Sequence, residues 1–250
     1  MEIQQYFYLI IFLIILQSVV GVGILVVGTP LLLLLNYNII DVISFLLPIS
    51  IFTSFINLFF IEVMHKNKFK FCLDSGINKK FFLYCVPGIF FGILLIKNFQ
   101  DYLSFELLVS SIILISLLIK YKFEPLIKNL SGFYIKSILT LIGVLHGLSN
   151  AGGTLLSLFL TSATEDKKNL SRFKISFYYF FLALVQYLIF SYTFKKIISL
   201  DQIIYILPLA LIGSILGNLL NKIISEIVFK RSIELIAFSS SLVLLMRGLN

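Results

Sequence analysis

Long apolar runs, separated by short polar clusters, make up almost the whole chain. A helix needs about 20 mostly apolar residues to cross a bilayer. Eight runs of suitable length lie at 6–35, 39–63, 80–97, 102–119, 133–160, 171–194, 201–220 and 229–246. Almost nothing is left over for a separate soluble domain. The pattern therefore predicts an all-α, polytopic integral membrane protein with about eight transmembrane helices.

The composition agrees with this pattern. Of the 250 residues, 59% are hydrophobic and only 13% are charged, whereas a soluble domain carries about 25% charged residues. No Lys or Arg precedes Lys66, and the basic residues lie mainly in the short connections. The net charge of +8 therefore indicates topology signals and contacts with membrane lipids, and it does not indicate a nucleic-acid partner.

The distribution of basic residues also predicts an orientation. If the N-terminus is inside and the chain crosses eight times, the inner segments hold 12 of the 20 Lys and Arg residues. By the positive-inside rule, we expect a multi-pass protein of the cell membrane with both termini in the cytoplasm.

Polar, Gly and Pro positions recur between the two halves of the chain. At offsets of 121 to 129 residues the matching pairs are Pro87 and Pro208, Gly92 and Gly213, Gly23 and Gly152, and Asn57 and Gln186. They predict two four-helix repeats, 1–125 and 126–250, which form one membrane domain. Four crossings per unit would give both repeats the same orientation, with the pseudo-twofold axis along the membrane normal. Chance similarity between apolar sequences is the alternative.

The first apolar run is too long for one straight span. Thirty residues of helix measure about 45 Å, against a hydrocarbon core of about 30 Å. Gly21, Gly23 and Gly28 lie in its second half, and Thr29 precedes Pro30. Proline lacks an amide hydrogen and disfavours helical geometry in the residue before it. We therefore expect the helix to break at Thr29–Pro30 and to re-form as a shorter segment.

The fifth run contains a matching glycine-rich stretch. Its polar and glycine residues are Gly143, His146, Gly147, Ser149, Asn150, Gly152, Gly153 and Thr154. Unwound backbone at this depth is tolerated only where it is buried in protein or lines a wet cavity. Free amides at a helix N-terminus favour an anion. The two breaks are therefore predicted to face each other and hold a small anion, and close helix packing by small residues is the alternative.

The candidate site includes three further kinds of residue. Asn57 and Gln186 lie on polar helix faces and would either hydrogen-bond the substrate or join neighbouring helices. His146 would either couple transport to protons or pack as a neutral ring. Arg172 would attract an anion at a vestibule or contact lipid headgroups. From the breaks, the predicted substrate-binding residues are Gly21, Gly23, Thr29, His146, Ser149, Asn150, Gly152 and Gly153.

Both breaks resemble those of the TauE/SafE family of sulfite and organosulfonate permeases. Residues 17–23 with 28–32 look like the family's first glycine-rich break, and residues 146–153 look like the second. The first break lacks the adjacent glycines that many members carry, and the second lacks the proline that usually follows. The resemblance covers most of the chain and implies a small sulfur-containing anion as substrate.

Together these features predict a secondary permease for a small anion, sulfite or an organosulfur anion, which works by alternating access around a midplane site between the repeats. A proton or sodium coupling ion and a homo-oligomeric assembly are partners that this function allows. No cofactor is expected, and no catalytic array suggests an enzyme. The alternative is a non-transporting membrane protein for assembly or lipid handling, in which the glycines only pack.

Overall fold

The structure, a computed structural model, describes residues 6–64, 75–99, 104, 106–107, 110–111, 113–115, 117–118, 132–150, 152–163 and 168–249. This part of the chain contains helices and no strand, which confirms the all-helical prediction. All the described residues between 106 and 118 are helical. The other helices are α1 (Phe7–Val20), α2 (Ile24–Leu34), α3 (Ile39–Met64), α4 (Ser75–Phe99), α5 (Gly132–Ser149), α6 (Gly152–Ala163), α7 (Lys168–Phe194), α8 (Leu200–Ile223) and α9 (Glu226–Leu249).

Five of these helices, α3, α4, α7, α8 and α9, are long and apolar enough to cross a membrane. The other four, α1, α2, α5 and α6, are shorter apolar helices. Each short pair is one of the two predicted broken helices, because a break at Gly21 to Gly23 separates α1 from α2 and a break just before Gly152 separates α5 from α6. The breaks that the sequence predicted are therefore present.

The first break lies earlier than Pro30. Helix α1 ends at Val20 and α2 begins at Ile24, so the break spans Gly21 to Gly23, and Pro30 lies inside α2. The prediction of a break at Thr29–Pro30 is wrong. A proline removes one amide from the helical ladder, but a membrane helix can continue through it when its surroundings accommodate the loss.

Helices α1 and α2 form a hairpin that folds back on itself. The hydroxyl of Tyr6, just before α1, hydrogen-bonds that of Tyr37, just after α2. A Cβ on Gly28 would lie 2.9 Å from a Leu13 methyl group, and one on Gly23 would lie 2.8 Å from the Gln17 nitrogen. These pairs are antiparallel, so the hairpin enters and leaves at one end of the bundle.

Helices α5 and α6 form the second hairpin. At its tip, a Cβ on Gly152 would overlap the Ile142 carbonyl oxygen and would lie 2.7 Å from the His146 nitrogen. The start of α6 therefore lies beside the last turns of α5 and runs back along them. The predicted count of eight crossings treats each broken helix as one span that continues across the membrane. Neither helix does so, because each reverses direction at its break.

The helix directions define two faces of the bundle. Asp41 at the start of α3 pairs with Lys196 just after α7, so these two helix ends lie at the same end of the bundle. We call this end, which also contains Tyr37, the Tyr37 face. We call the opposite end the Lys168 face, where Lys168 at the start of α7 donates to the Ile224 carbonyl just after α8. Thus α3 and α8 run from the Tyr37 face to the Lys168 face, and α7 runs in the reverse direction.

The two hairpins enter from opposite faces. Helix α1 runs parallel to α8, because Ser18 contacts Ser214 and Ile14 lies against Gly213. Helix α5 runs parallel to α4, and α4 runs parallel to α7, since Asn78 and Phe82 contact Tyr178 and Phe181 in that order. The first hairpin therefore starts at the Tyr37 face and the second starts at the Lys168 face.

These directions overturn the predicted same-orientation repeat. Helices α3 and α7 carry the matched positions Asn57 and Gln186, yet they run antiparallel. A hairpin that leaves by the face through which it entered adds no crossing. Among the described residues, the second predicted half then crosses three times, by α7, α8 and α9, instead of four. An odd number of crossings in a half inverts one half relative to the other. The duplication itself and its limits, 1–125 and 126–250, stay predictions, with any twofold axis now expected in the membrane plane.

Glycines allow two close helix contacts. Gly88 and Gly92 of α4 lie against Gly143 and Gly147 of α5, so closely that a Cβ on Gly92 would overlap the Val144 carbonyl oxygen. Gly213 and Gly217 of α8 lie against α1 in the same way. Gly143 and Gly147 therefore belong to this packing and not to the second break.

Candidate functional site

The first hairpin turns at a glycine in the left-handed region. Gly21 has φ +92° and its amide donates to the Gln17 carbonyl at 2.7 Å, which closes the last turn of α1. A side chain at Gly21 would be strained and would meet Ile175 at 2.9 Å. Gly23 allows α2 to begin directly against the backbone of α1. Both glycines were predicted site residues, and their described role is to form the turn.

The Gln17 side chain occupies the inside of this first tip. Its Nε2 donates to Ser54 Oγ at 2.9 Å and to the Ser50 carbonyl at 3.2 Å, and its Oε1 accepts from the Ile24 amide at 3.2 Å. The side chain is fully buried. It therefore satisfies the first amide of α2, one of the groups expected to bind an anion. The sequence analysis missed this role, although one polar residue within an apolar run was a signal.

Two side chains satisfy the carbonyls at the outer side of the first tip. Arg172 Nη2 donates to the Ser18 carbonyl, and Asn221 Nδ2 donates to the Val19 carbonyl at 2.7 Å. Arg172 is only 4% exposed, so its charge lies inside the bundle, and its predicted role in attracting an anion stays a prediction. These bonds cap the C-terminal end of α1, whose last carbonyls lack partners within the helix.

The second hairpin turns at Asn150. This residue has φ +63°, and its amide donates to the His146 carbonyl at 3.0 Å, as Gly21 does in the first tip. Asparagine is one of the few residues that adopt this conformation readily. Its Nδ2 donates to Thr29 Oγ1 of α2 at 3.1 Å. The structure thus brings Thr29 and Asn150 together, and the second tip lies beside the middle of α2.

Tyr179 of α7 packs directly over the second tip. Its ring centroid is 6.0 Å from that of His146, and a Cβ on Gly153 would overlap the Tyr179 ring. Gly153 is therefore needed for the close approach of this ring. Tyr179 is fully buried. It lies seven residues before Gln186, on the same face of α7, but the sequence analysis did not include it among the site residues.

The matched residues Asn57 and Gln186 serve different tips. Gln186 Nε2 donates to the His146 carbonyl at 2.8 Å, at the second tip. Asn57 Oδ1 accepts from Asn218 Nδ2 at 3.1 Å, and Asn218 in turn accepts from Arg172 at 2.6 Å. Asn57 therefore belongs to a polar chain that leads to the first tip. Ser149 is buried and donates to the Leu145 carbonyl within its own helix.

Several buried polar atoms around the second tip make no hydrogen bond of good geometry within the described residues, although Ser50 and the Leu25 backbone lie near the Tyr179 hydroxyl and the Asn150 backbone lies near the His146 ring. They are both ring nitrogens of His146, Asn150 Oδ1, Thr154 Oγ1, Ser176 Oγ, the Tyr179 hydroxyl and Gln186 Oε1. Buried polar groups are almost always paired with protein or water. Such a group of atoms fits a place that water or a polar ligand fills. The hydroxyls and one imidazole nitrogen can donate to an anion.

The described residues include no group of three or more His, Cys, Asp or Glu side chains that could hold a metal ion. The atoms available for a ligand at the second tip are hydroxyl, amide and imidazole groups, in a tip that Gly152 and Gly153 keep narrow. This arrangement suits hydrogen bonding to a small polar molecule.

A comparison with protein-family models agrees with the resemblance noted in the sequence. The model described as "Sulfite exporter TauE/SafE" matches residues 6–244, which is nearly the whole chain. No curated protein and no solved structure matches the chain significantly. The chain belongs to the TauE/SafE sulfite exporter family.

Proposed function

We propose that this protein is a secondary transporter for sulfite or a small organosulfur anion, and that the anion binds at the second tip. Family membership makes the chain a multi-pass membrane transporter of the sulfite or organosulfur type, and it does not favour an enzyme or a non-transporting assembly factor. The observation that supports an anion site at the second tip is the group of buried, unpartnered polar atoms around Asn150 and Tyr179.

The chemistry of these atoms suits a small oxyanion. The hydroxyls of Thr154, Ser176 and Tyr179 and a ring N–H of His146 can donate to its oxygens. The N-terminus of α6 begins at Gly152, where free amides and the helix dipole favour negative charge. At the first tip, Gln17 already satisfies the equivalent amide at Ile24. The second tip is therefore the better anion site.

Alternating access would use the two hairpins as the moving parts. They enter from opposite faces and are joined by the Thr29–Asn150 hydrogen bond, so displacement of one hairpin changes the contact with the other. A substrate at the second tip would be exposed to one face and then to the other as this contact changes. If protons drive the cycle, His146 is the titratable side chain placed to couple them, since both of its ring nitrogens are buried and unpartnered.

The test is flux of radiolabelled sulfite into proteoliposomes, measured for Tyr179→Phe. This change keeps the ring over Gly153 and removes only the hydroxyl. Loss of a hydrogen bond to a charged ligand costs about 1.5–3 kcal/mol, so we expect KM to rise about tenfold or more. Tyr178→Phe is the matched control, because the neighbouring Tyr178 hydroxyl donates instead to Asn78 of α4. Unchanged transport by Tyr179→Phe, or equal loss in Tyr178→Phe, would contradict the proposed site.

The hairpins also change the expected orientation in the membrane. Among the described residues, the Lys168 face has nine basic positions near helix ends and the Tyr37 face has four. The nine are Lys79, Lys80, Lys136, Lys168, Arg172, Lys174, Lys222, Lys230 and Arg231, and the four are Lys97, Lys195, Lys196 and Arg247. The positive-inside rule then supports a cytoplasmic Lys168 face. The first and last described residues, Tyr6 and Leu249, lie towards the Tyr37 face, so we propose that both termini are outside the cytoplasm.

Reporter fusions at the C-terminus test this orientation. Alkaline phosphatase folds outside the cytoplasm and green fluorescent protein fluoresces when it folds inside. In a bacterial host, the proposed orientation predicts an active phosphatase fusion and a dark fluorescent fusion. The reverse pair of results would support the orientation predicted from eight crossings, with both termini in the cytoplasm. Flux measurements do not depend on this result.

A further inference from the structure

A polar cavity opens beside the first tip at the Lys168 face. Its volume is about 290 Å³, enough for a small oxyanion with water. The cavity lies between α3, α7 and α8, and it is separate from the second tip, since none of the residues around Asn150 lines it. Its lining residues are Ile61, Met64, Lys168, Asn169, Arg172, Asn218, Asn221 and Lys222.

Among the residues that the structure describes, the lining contains three cations and no carboxylate. Lys168 Nζ donates to the main-chain carbonyls of Asn221 at 2.7 Å and Ile224 at 2.5 Å. Lys222 is exposed at the same opening. Glu62 follows Ile61 on α3 but is not among the residues that line the cavity. The cavity is therefore a concentration of positive charge on the proposed cytoplasmic side.

Arg172 is the central member of this set. Its side chain is 4% exposed, and the partners of its Nη2 are the Ser18 carbonyl and the Asn218 amide oxygen, both neutral groups. Its Nε is buried and has no hydrogen-bond partner among the described residues. A charged side chain inside a membrane protein is costly unless an opposite charge or a wet cavity compensates it. An anion in the cavity would supply both the charge and the missing acceptor.

The cavity at the opposite face has a different charge pattern. It has a volume of about 260 Å³ and is lined by residues that include Asp41, Lys196 and Gln202. There, Lys196 forms an ion pair with Asp41, and Lys195 Nζ lies 4.8 Å from the centroid of the Tyr192 ring, so both lining cations already have a partner. At the offset that aligns the two tips, Arg172 corresponds to Ile43, which is buried and apolar. Only the Lys168 face therefore combines a buried arginine with an unpaired donor among the cavities described.

We infer that the Lys168-face cavity is a second anion-binding site, which takes a small free oxyanion through Arg172. The inference rests on the proposed function and adds to it a loading site outside the transport site. The site makes the two faces of the transporter different. The anion is captured at the Lys168 face, whereas the position that corresponds to Arg172 in the first half is Ile43, which has no charge. With the Lys168 face in the cytoplasm, the site captures anion from the cytoplasm.

The test is binding of sulfate and sulfite to the purified full-length protein in detergent, measured by calorimetry. We expect Arg172→Gln to weaken this binding at least tenfold and Arg172→Lys, which keeps the charge, to retain it within about threefold. Lys196→Gln, which removes a cation from the opposite cavity, is the matched control and should bind as the unchanged protein does. Equal binding by Arg172→Gln, or equal loss in Lys196→Gln, would overturn the inference.

Two further measurements separate this site from its alternatives. A structure with selenate should show anomalous density within hydrogen-bond distance of Arg172 Nε. This result would show whether an anion binds there even if Arg172→Gln folds poorly. Asn150→Gly, altered at the second tip, should lose sulfite flux and keep the Arg172-dependent binding, so the two proposals fail separately. The phosphate of an anionic lipid has the same chemistry, and nanodiscs with and without phosphatidylglycerol distinguish it. Density that appears only with that lipid would overturn capture of a free anion.

Discussion

The two hairpin tips are built on the same backbone plan but differ in how their polar groups are satisfied. Gly21 and Asn150 both adopt positive φ, and each donates its amide to the carbonyl four residues earlier. In the first tip, Gln17, Arg172 and Asn221 then bond the backbone at the turn. In the second tip, His146, Asn150 and Tyr179 keep buried atoms without partners.

This difference distinguishes a structural turn from a ligand site. The backbone groups at the first turn have little free-energy reason to bind a ligand, because those donors and acceptors are already paired. Arg172 also lines the Lys168-face cavity, and its unpaired Nε is assigned to that second site. An unsatisfied tip gains from any molecule that supplies the missing partners. The sequence presents the two breaks as equivalent halves of one cradle, whereas the side-chain bonds separate their roles. Substitutions that exchange or remove those bonds can test the distinction.

The largest expected effect follows from Gly153→Ala at the second tip. The added methyl group would overlap the Tyr179 ring, so the ring must leave the tip. We expect sulfite flux to fall below detection and the free energy of unfolding to fall by about 1–3 kcal/mol. The measurements are proteoliposome flux and thermal unfolding.

Gly28→Ala is the matched control in the first hairpin. There the new methyl group would meet the end of the Leu13 side chain at 2.9 Å, which can shift, so flux should stay near normal. If Gly153→Ala transports normally, the Tyr179 ring does not define the site.

A smaller loss is expected from Asn150→Gly. Glycine keeps the positive φ of the turn and removes only the side-chain amide, so the protein should fold. Asn150 Nδ2 donates to Thr29 and keeps a second N–H that can donate to the anion, so its removal should lower flux about tenfold or more. Flux in proteoliposomes, at equal reconstituted protein, is the measurement. Normal flux would show that the Asn150 side chain serves only the turn.

Gln17→Leu should affect stability and leave substrate affinity unchanged. It leaves the Ile24 amide buried without its 3.2 Å partner, which costs about 1–3 kcal/mol. Thermal unfolding should show the loss, while KM for sulfite in the remaining folded protein stays the same. A large increase in KM would mean that the first tip contacts the substrate after all, and the two tips would then be equivalent.

The smallest effect is expected from Thr29→Val, which removes the hydrogen bond between the hairpins. Such bonds are worth about 0.6 kcal/mol on average in membrane proteins, so unfolding should change little. Because the Asn150 amide remains available to the substrate, KM should stay near normal. A loss of flux as large as that of Asn150→Gly would assign the role of Asn150 to this contact between the hairpins.

The sequence was sufficient to predict the helices and the presence of two breaks. Apolar runs identify helices in a membrane protein, and glycines such as Gly21 occur where the backbone needs a positive φ. It did not reveal that each broken helix folds back. A helix that continues after a break and one that reverses have the same apolar composition. Long-range contacts, such as that between Tyr6 and Tyr37, distinguish them.

The same limit explains the errors in the site. Pro30 carried the strongest local signal for a break, but packing of α2 within the hairpin outweighed it. Gln17 and Tyr179 are ordinary residues in apolar runs, and their roles depend on partners more than 25 residues away, Ser54 and Gly153 among them. The glycines and polar residues of both breaks were identifiable because such residues are costly in a plain span.

The most direct test of the central claim is a structure of the protein with bound selenite, an analogue of sulfite whose selenium can be located by anomalous scattering. We expect a selenium peak at the second tip, within hydrogen-bond distance of the Tyr179 hydroxyl or a His146 ring nitrogen, whether or not a second peak lies near Arg172. A structure with selenium near Arg172 or the first tip alone, and none beside Tyr179, would contradict it.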